Sequence, residues 1–270
     1  MNKKTIKYKI LFFGINNSSF SATCLRNLLI IDNIELLGVL SSKCNRFRNL
    51  KNRKFSLLKK LFTDVTIIEI VTHFLRDIFN KVIFLKTCVG IKILNKFLNL
   101  KNLCYSNNIQ YYSVDSVNLI NSIELIMNLS PDFIIVGSFS EILMQKVINI
   151  PKMGIYNVHP GKLPEYKGAN PIENAVYNRE KIVTCTIHKI NRAIDAGNII
   201  CEKKLLLEDA ISIYTFRKYI NDLIGDCLND FAENIYDELY LNGWKQQSNI
   251  CFFSERIKGL KRYKIYLNVL

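Results

Sequence analysis

The sequence predicts an α/β domain with a mixed, mostly parallel sheet, and two observations carry this prediction. Short apolar segments that end in glycine or serine occur at YKILFFG (8–14), IELLGVLS (34–41) and PDFIIVGS (131–138), as expected for buried strands. The first two enclose a segment with helical spacing, and strand, helix and strand within about 35 residues is typical of a parallel βαβ unit. With 270 residues, 49% of them hydrophobic, the chain can bury one large core.

The first of these strands opens the chain. MNKKTIKYKILFFG has a basic start, but its apolar run is short and no small-residue cleavage site follows, so we predict a strand rather than a signal peptide. NNSSFSATCLRNLLI then supplies capping residues before the apolar positions of the first helix. The strand at 34–41 completes the first βαβ unit.

A basic segment, residues 42–104, interrupts this pattern. Fourteen Lys and Arg residues lie between Lys43 and Lys101 against three acidic residues, which accounts for eleven of the net charge of +14. Apolar residues recur there at intervals of three and four, so we predict one to three amphipathic helices. Charges interrupt every apolar run well short of the ~18 residues of a membrane span. Two interpretations stay open: helices packed on the core, or a face within 45–100 that contacts an anionic membrane or another anionic partner.

The α/β pattern resumes after residue 104. We predict a helix through SIELIMNL with Ser116 as its cap, then the strand at 131–138 and a short helix over SEILMQKVI. Asn170 followed by Pro171 is typical of a helix start, the cap and then the first position. The remaining predicted elements are a strand at MGIYNVHPG, a strand pair at 182–190 and 198–207, one long helix from 212 to 242 that ends at Gly243, and a strand-like basic stretch from 244 to 270.

The eight cysteines point to no metal site. They are scattered, with no CxxC pair and no histidine at a suitable spacing, so we expect no bound metal. Small hydrophobic side chains in a reducing cytoplasm are the simpler interpretation.

The candidate chemistry lies in YNVHPGKLPEYKGANP (156–171), where three prolines and two glycines surround a histidine. Alternate side chains of a strand share a face, so Asn157 and His159 point the same way at the carboxyl end of their strand. Open α/β sheets place their sites at such ends. An amide and an imidazole there can stabilise the oxyanion of a tetrahedral intermediate, and Asp195 in RAIDAGNII can orient the histidine.

These motifs resemble those of the folate-dependent formyltransferases, which carry Asn-x-His, a Leu-Pro turn, an aromatic residue, Lys or Arg and Gly, and later an Asp-x-Gly turn. Asp195-Ala196-Gly197 follows His159 at that family's usual interval, and ILFFG and PDFIIVGSFSEIL also match. The similarity runs to about residue 207 and is weak across 42–104. The resemblance implies a Rossmann-like formyltransferase domain at 1–207, which holds the basic insert 42–104, and a C-terminal helix and hairpin-like extension at 208–270.

The resemblance also implies a donor, 10-formyltetrahydrofolate, and a primary amine as acceptor. Asn157, His159 and Asp195 would be catalytic. Folate would lie against Ser138, Phe139, Ile142, Leu143, Ile190 and Ile194, and the acceptor near Lys167, Gly168 and Asn170. His188 lies near the Asp195 loop and is as compatible with packing as with a substrate contact, whereas we expect no functional role for His73. Gly161-Lys162 stands where many relatives have Ser-Leu, so the loop contacts to the acceptor stay open.

Three functions stay open for the chain. The sequence most resembles enzymes that formylate a nucleotide-linked amino sugar for surface glycan synthesis, because 208–270 is short and EYKGANP is similar to theirs. The alternative is methionyl-tRNA formyltransferase, which normally adds a C-terminal barrel for which about 60 residues leave no room. A non-catalytic basic binding protein on the same fold is the third. We expect a cytoplasmic homodimer that does not bind nucleic acid.

Overall fold

The computed structural model describes residues 7–43, 99–208 and 213–247, and in them it confirms the α/β class with a mixed, mostly parallel sheet. Seven strands lie in the order β3-β2-β1-β4-β5-β6-β7, with the four pairs from β3 to β5 parallel and the last two antiparallel. The strands are β1 (Tyr8–Gly14), β2 (Ile34–Ser42), β3 (Tyr111–Val114), β4 (Phe133–Gly137), β5 (Ile155–His159), β6 (Ile182–Lys189) and β7 (Ile199–Leu206).

Seven helices accompany the sheet in the described ranges. They are α1 (Ser19–Leu28), α2 (Leu100–Ser106), α3 (Ile120–Leu129), α4 (Gln145–Ile148), α5 (Pro171–Tyr177), α6 (Ile213–Asn234) and α7 (Glu238–Asn242). Over these same residues, every helix is too short or too polar to span a bilayer.

The central strands are apolar along their length because both faces of the sheet are covered. In β1, Phe12 belongs to the cluster beneath α1 and α6, whereas Leu11 and Phe13 belong to a second cluster on the opposite face. The first cluster continues through β4 and β5 into α6. Its aromatic members Phe133, Tyr156 and Phe231 pack with ring centroids 5.0–5.9 Å apart.

Helix α6 is therefore part of the main core. Ile220, Ile224 and Phe231 are completely buried against the sheet. After α7, Trp244 and Ile199 exchange two backbone hydrogen bonds of 2.9 Å, so the chain joins the edge of β7 next to the β6–β7 loop. The residues beyond 207 thus reach the β6–β7 loop, which contains Asp195.

Several sequence-based predictions of the elements were wrong in detail. Strand β3 was not predicted, because it has only four residues at the sheet edge and is half-exposed. Ser116 does not cap α3, which starts at Ile120; its hydroxyl donates to Glu141 instead. The short helix covers only 145–148.

The long helix predicted from 212 to 242 is two helices. Asp237 interrupts it, because its side chain caps α7 by accepting from the backbone N–H groups of Leu239 and Tyr240. The amphipathic helices predicted in 42–104 lie mostly outside the described residues, with α2 as the exception. The strand-like stretch 244–270 lies outside them from residue 248 onwards.

Candidate active site

The polar side chains of β5 meet those of β6 where the sheet turns antiparallel. Asn157 pairs with His188 and His159 pairs with Thr186. Directly opposed residues of an antiparallel pair lie close enough for their side chains to touch. Asn157 Nδ2 is accordingly 3.1 Å from Nε2 of His188, although 31 residues separate them in sequence.

Asp195 completes the cluster from the β6–β7 loop. Its backbone has a φ of 46°, in the left-handed region that turns tolerate for aspartate. One carboxylate oxygen, Oδ2, accepts the N–H of Gly168 at 2.8 Å and lies 3.7 Å from Nδ1 of His159. The other, Oδ1, lies 3.4 Å from Nε2 of His188 and 3.5 Å from Nδ2 of Asn157. The structure thus brings Asn157, His159 and Asp195 together.

The His159 ring lies between two oxygen acceptors and is only 3% exposed. Its Nε2 is 2.8 Å from the carbonyl oxygen of Tyr166. A carbonyl oxygen only accepts, so Nε2 carries a hydrogen and Nδ1, facing Asp195, carries a lone pair when the ring is neutral. Burial lowers the pKa of His159, and the charge of Asp195 opposes this only in part. The neutral ring therefore predominates near pH 7.

His188 is held in the same manner. Its Nδ1 is 3.1 Å from the carbonyl oxygen of Lys189, so Nδ1 carries the hydrogen and the Nε2 lone pair accepts from the amide of Asn157. Sequence reasoning left its role open between packing and substrate contact; the structure places it within the cluster. The antiparallel register of β5 and β6 pairs His188 with Asn157. This register is set by tertiary contacts, so the sequence alone does not reveal it.

The carboxyl group of Asp195 is ionised at neutral pH. Burial alone would raise its pKa, but the contacts with His188 and His159 and the hydrogen bond from the N–H of Gly168 together outweigh burial. The pKa of Asp195 therefore lies well below its usual range. The cluster holds this carboxylate beside Nδ1 of His159, whose lone pair faces it, and Nε2 of His188, which accepts from Asn157.

The residues predicted to line the folate pocket divide into two groups. Phe139 packs on Phe13 with ring centroids 5.2 Å apart, and Leu143 and Ile190 join the same apolar cluster below the sheet end. Ile142 and Ile194 are 41% and 44% exposed, so they present apolar surface to the solvent. Ser138, at the end of β4, has a φ of 63°. A cavity of about 570 Å³ adjoins Ile190, and Lys189 and Arg192 also line it.

The residues predicted for the acceptor side lie on the loop before α5. Gly168 reaches the cluster through its N–H bond to Asp195. Pro171 is the first residue of α5 as predicted, but Asn170 does not cap it with its side chain; its backbone has a φ of 60° and its carbonyl accepts from Asn174. Lys167 is half-buried.

Gln246 was missed by sequence reasoning. Its Nε2 donates to the carbonyl oxygens of Asp195 at 2.9 Å and of Gly197 at 2.8 Å. The side chain thus ties the Asp195 loop to the segment that follows α7. A single glutamine 51 residues from Asp195 offers no pattern in the sequence.

Solved structures share this fold. The phosphoribosylglycinamide formyltransferase from Streptococcus pneumoniae TIGR4 is 15% identical with a TM-score of 0.54, over 86% of this chain and 99% of that one. A sugar N-formyltransferase from Shewanella sp. FDAARGOS_354 is 14% identical with a TM-score of 0.54, over 97% of this chain and 88% of that one. The protein therefore has the α/β formyltransferase fold.

Part of the chain also has sequence relatives. Residues 90–223 match the formyl transferase family, and the matched region contains Asn157, His159, His188 and Asp195. The methionyl-tRNA formyltransferase of Thermotoga maritima is 31% identical over 136 residues, 50% of this chain and 44% of that protein. That of Ehrlichia ruminantium (strain Gardel) is 33% identical over 124 residues, 46% and 41% of the two proteins. Residues 90–223 are thus similar to the formyl transferase family, and the chain matches less than half the length of these curated relatives.

Proposed function

We propose that the protein transfers a formyl group from 10-formyltetrahydrofolate to a primary amine. The cluster of Asn157, His159 and Asp195 at the carboxyl end of β5 is the observation that carries this proposal. It combines an ionised carboxylate with an amide donor 3.5 Å away and a neutral imidazole 3.7 Å away. Acyl transfer to an amine needs both an oxyanion donor and a proton acceptor.

In this reaction the amine nitrogen attacks the formyl carbon, and the carbonyl oxygen becomes an oxyanion. Asn157 Nδ2 has two hydrogens: one donates to His188 at 3.1 Å, and the other makes only a long contact of 3.5 Å with Asp195 Oδ1, so it can turn to the oxyanion. The amine then loses a proton, for which Asp195 and Nδ1 of His159 are the acceptors. Collapse of the intermediate breaks the bond to N10 of the folate, which takes up a proton as it leaves.

We propose a role for His159 that differs from the oxyanion stabilisation expected from the sequence. While the ring is neutral its only N–H is directed to the carbonyl of Tyr166, so it has none for the substrate. We propose that it holds the loop that carries Gly168 and receives the amine's proton on Nδ1. The imidazolium so formed would lie 3.7 Å from the carboxylate of Asp195, which would stabilise it.

For the acceptor we propose a nucleotide-linked amino sugar. The likeness of EYKGANP and of the β6–β7 stretch to sugar-modifying relatives supports this substrate class. The fold is also similar to that of the Shewanella sugar N-formyltransferase, over 97% of this chain. Lys167, Gly168 and Asn170, on the loop that reaches Asp195, would face the sugar.

Methionyl-tRNA is the second candidate acceptor. Curated relatives of that activity are 31–33% identical across about half of the chain. The net charge of +14 also suits a polyanionic substrate, because phosphate contacts dominate affinity for nucleic acids.

Mass spectrometry of acceptor formylation distinguishes these candidates. The protein would be incubated with 10-formyltetrahydrofolate and a panel of nucleotide-linked 3-amino and 4-amino dideoxysugars, with charged methionyl-tRNA in parallel. We expect a formyl adduct on one sugar, absent with Asp195→Asn and retained with the exposed-site control Asp115→Asn. A formyl adduct on the tRNA alone would replace the sugar proposal, and no adduct on any amine would overturn the activity.

We further propose a homodimer and a membrane contact through 45–100. Sedimentation velocity would test the first, and a monomer at micromolar concentration would contradict it. Flotation with anionic liposomes, with and without residues 45–100, would test the second.

A further inference from the structure

The cluster contains a set of metal ligands as well as a set of acid–base groups. One ring nitrogen of His159, one of His188 and a carboxylate oxygen of Asp195 all lie within 4.8 Å of one another. Two imidazoles and one carboxylate are a common ligand set for Zn²⁺ and its neighbours in the first transition series. The spacing of the cysteines predicted no metal, whereas these three ligands come from β5, β6 and the following loop.

Both imidazoles are oriented by the same outer contact. His159 directs its Nε2–H to the carbonyl of Tyr166 at 2.8 Å, and His188 directs its Nδ1–H to the carbonyl of Lys189 at 3.1 Å. Histidines that bind metals almost always donate the other ring N–H to a carbonyl or carboxylate, which fixes the tautomer and the ring plane. Here this contact leaves one lone pair of each ring directed toward Asp195. The carbonyl contacts therefore fix the tautomer and the orientation of both rings as a metal site requires.

We propose that His159, His188 and Asp195 bind a borderline divalent cation, for which Zn²⁺ is the type, and that the cation blocks formyl transfer. Tetrahedral coordination with bonds of about 2.0–2.2 Å places neighbouring ligand atoms roughly 3.3 Å apart. The pair His188 Nε2 and Asp195 Oδ1 is already at 3.4 Å, and His159 Nδ1 and Asp195 Oδ2 are at 3.7 Å. Small rotations of the Asp195 carboxylate and the His159 ring would complete the set.

The hydrogen-bond partners of the two rings favour the cation. In the neutral rings each N–H is directed to a carbonyl oxygen, so the nitrogen that faces Asp195 has a lone pair for a metal. Among the described residues, the hydrogen-bonding groups that face the cluster from neighbouring elements are the amide of Asn157, the N–H of Gly168 and the carbonyl of Tyr166.

The blocking effect rests on the proposed function, whereas binding does not. A cation bound to Nδ1 of His159 and to Asp195 would occupy both acceptors for the amine's proton. Three protein ligands leave a fourth position, which water or the attacking amine would fill. An amine bound to the metal has its lone pair engaged and cannot attack the formyl carbon.

Binding can be tested with Co²⁺, which replaces Zn²⁺ and absorbs visible light in tetrahedral sites. Titration of the whole protein at pH 7.5 should give one equivalent of Co²⁺ with intense visible absorption that Zn²⁺ abolishes. Asp195→Asn and His188→Gln should each weaken binding on the order of 100-fold. His73→Gln, which removes the chain's only other histidine, and Asp115→Asn should bind as the wild type does.

Further measurements separate metal binding from misfolding of a variant and from the proposed activity. Zn²⁺ should raise the Tm of the wild-type protein, so that binding is measured even if a variant folds poorly. Sulfur-to-cobalt charge transfer in the near ultraviolet, or equal binding by Asp195→Asn, would overturn the proposal. Tight Co²⁺ binding in a protein that formylates no acceptor would retain the metal site and remove the proposed function, and full transfer with Zn²⁺ bound would remove the blocking effect.

Discussion

Gly197 offers the sharpest test of how the Asp195 loop is positioned. A Cβ added at this position would lie 1.7 Å from the carbonyl oxygen of Lys189 and 2.8 Å from its carbonyl carbon. Both atoms are backbone, and the Lys189 carbonyl also accepts from Nδ1 of His188. Gly197→Ala therefore forces a shift in the main chain that carries the Asp195 carboxylate or in the strand that carries His188.

The size of that shift follows from the contact. Real Cβ atoms essentially never approach another heavy atom closer than 3.0 Å, so the two segments must separate by at least about 1.3 Å. A displacement of about 1 Å at a reacting group can reduce turnover by about 10²-fold. Overpacking of this kind also costs about 1–3 kcal/mol of the free energy of unfolding. We expect kcat/KM to fall about 100-fold with a modest loss of Tm.

The assay is formyl transfer to the acceptor that mass spectrometry identifies, with Tm measured on the same preparations. Gly225→Ala is the matched control, because its Cβ meets only the side-chain Oδ1 of Asn27, at 2.8 Å. Gly225 lies in α6, where alanine is favoured over glycine by about 1 kcal/mol, so its Tm should stay level or rise. A Gly197→Ala protein with kcat/KM within about threefold of wild type would refute the argument that loop position limits turnover.

Three further predictions concern the residues around this loop. Asn157→Ala should lower kcat by about 10²–10³-fold, as expected for one lost oxyanion donor, with Tm nearly unchanged; wild-type kcat would exclude Asn157 as that donor. Gln246→Ala removes two hydrogen bonds to the loop and should cost about 1–3 kcal/mol of unfolding free energy by urea titration, together with a fall in kcat, whereas the exposed neighbour Lys245→Ala should change neither. His159 has a folded pKa below its ordinary 6.5, so the unfolded chain binds its proton more tightly and stability should fall as the pH drops from 7.5 to 5.5. His159→Gln should reduce that fall, and an identical pH profile in the variant would assign it to another group.

The sequence predicted those features that depend on the local pattern of a single strand or turn. Strands β1, β2 and β4 are nearly continuous apolar runs, and such runs indicate burial without knowledge of their neighbours. Asn157 and His159 share a face because of strand alternation, and Asp195 precedes a glycine in a turn motif. These features are local, so their prediction needed no tertiary contact.

What the sequence did not reveal depends on contacts between distant segments. His188 reaches Asn157 through the register of an antiparallel pair, and Gln246 reaches Asp195 across 51 residues. The commitment of the His159 N–H to the Tyr166 carbonyl depends on how the loop folds back, so the ring's part in the chemistry could not be read from its spacing. Strand β3 was not predicted for a local reason: a short, half-exposed edge strand has little hydrophobic pattern to detect.

The hydrogen bonds of Gln246 have a consequence for the order in which the protein matures on the ribosome. Synthesis delivers β5, β6 and the Asp195 loop long before residue 246, and domains fold as their segments emerge. Until the end of α7 has left the exit tunnel, Trp244 cannot pair with Ile199 and the loop lacks its restraint. A nascent chain stalled before residue 244 would therefore contain Asn157, His159 and Asp195 without the restraint on the Asp195 loop, and the cluster would reach its final arrangement only after residue 246 has emerged.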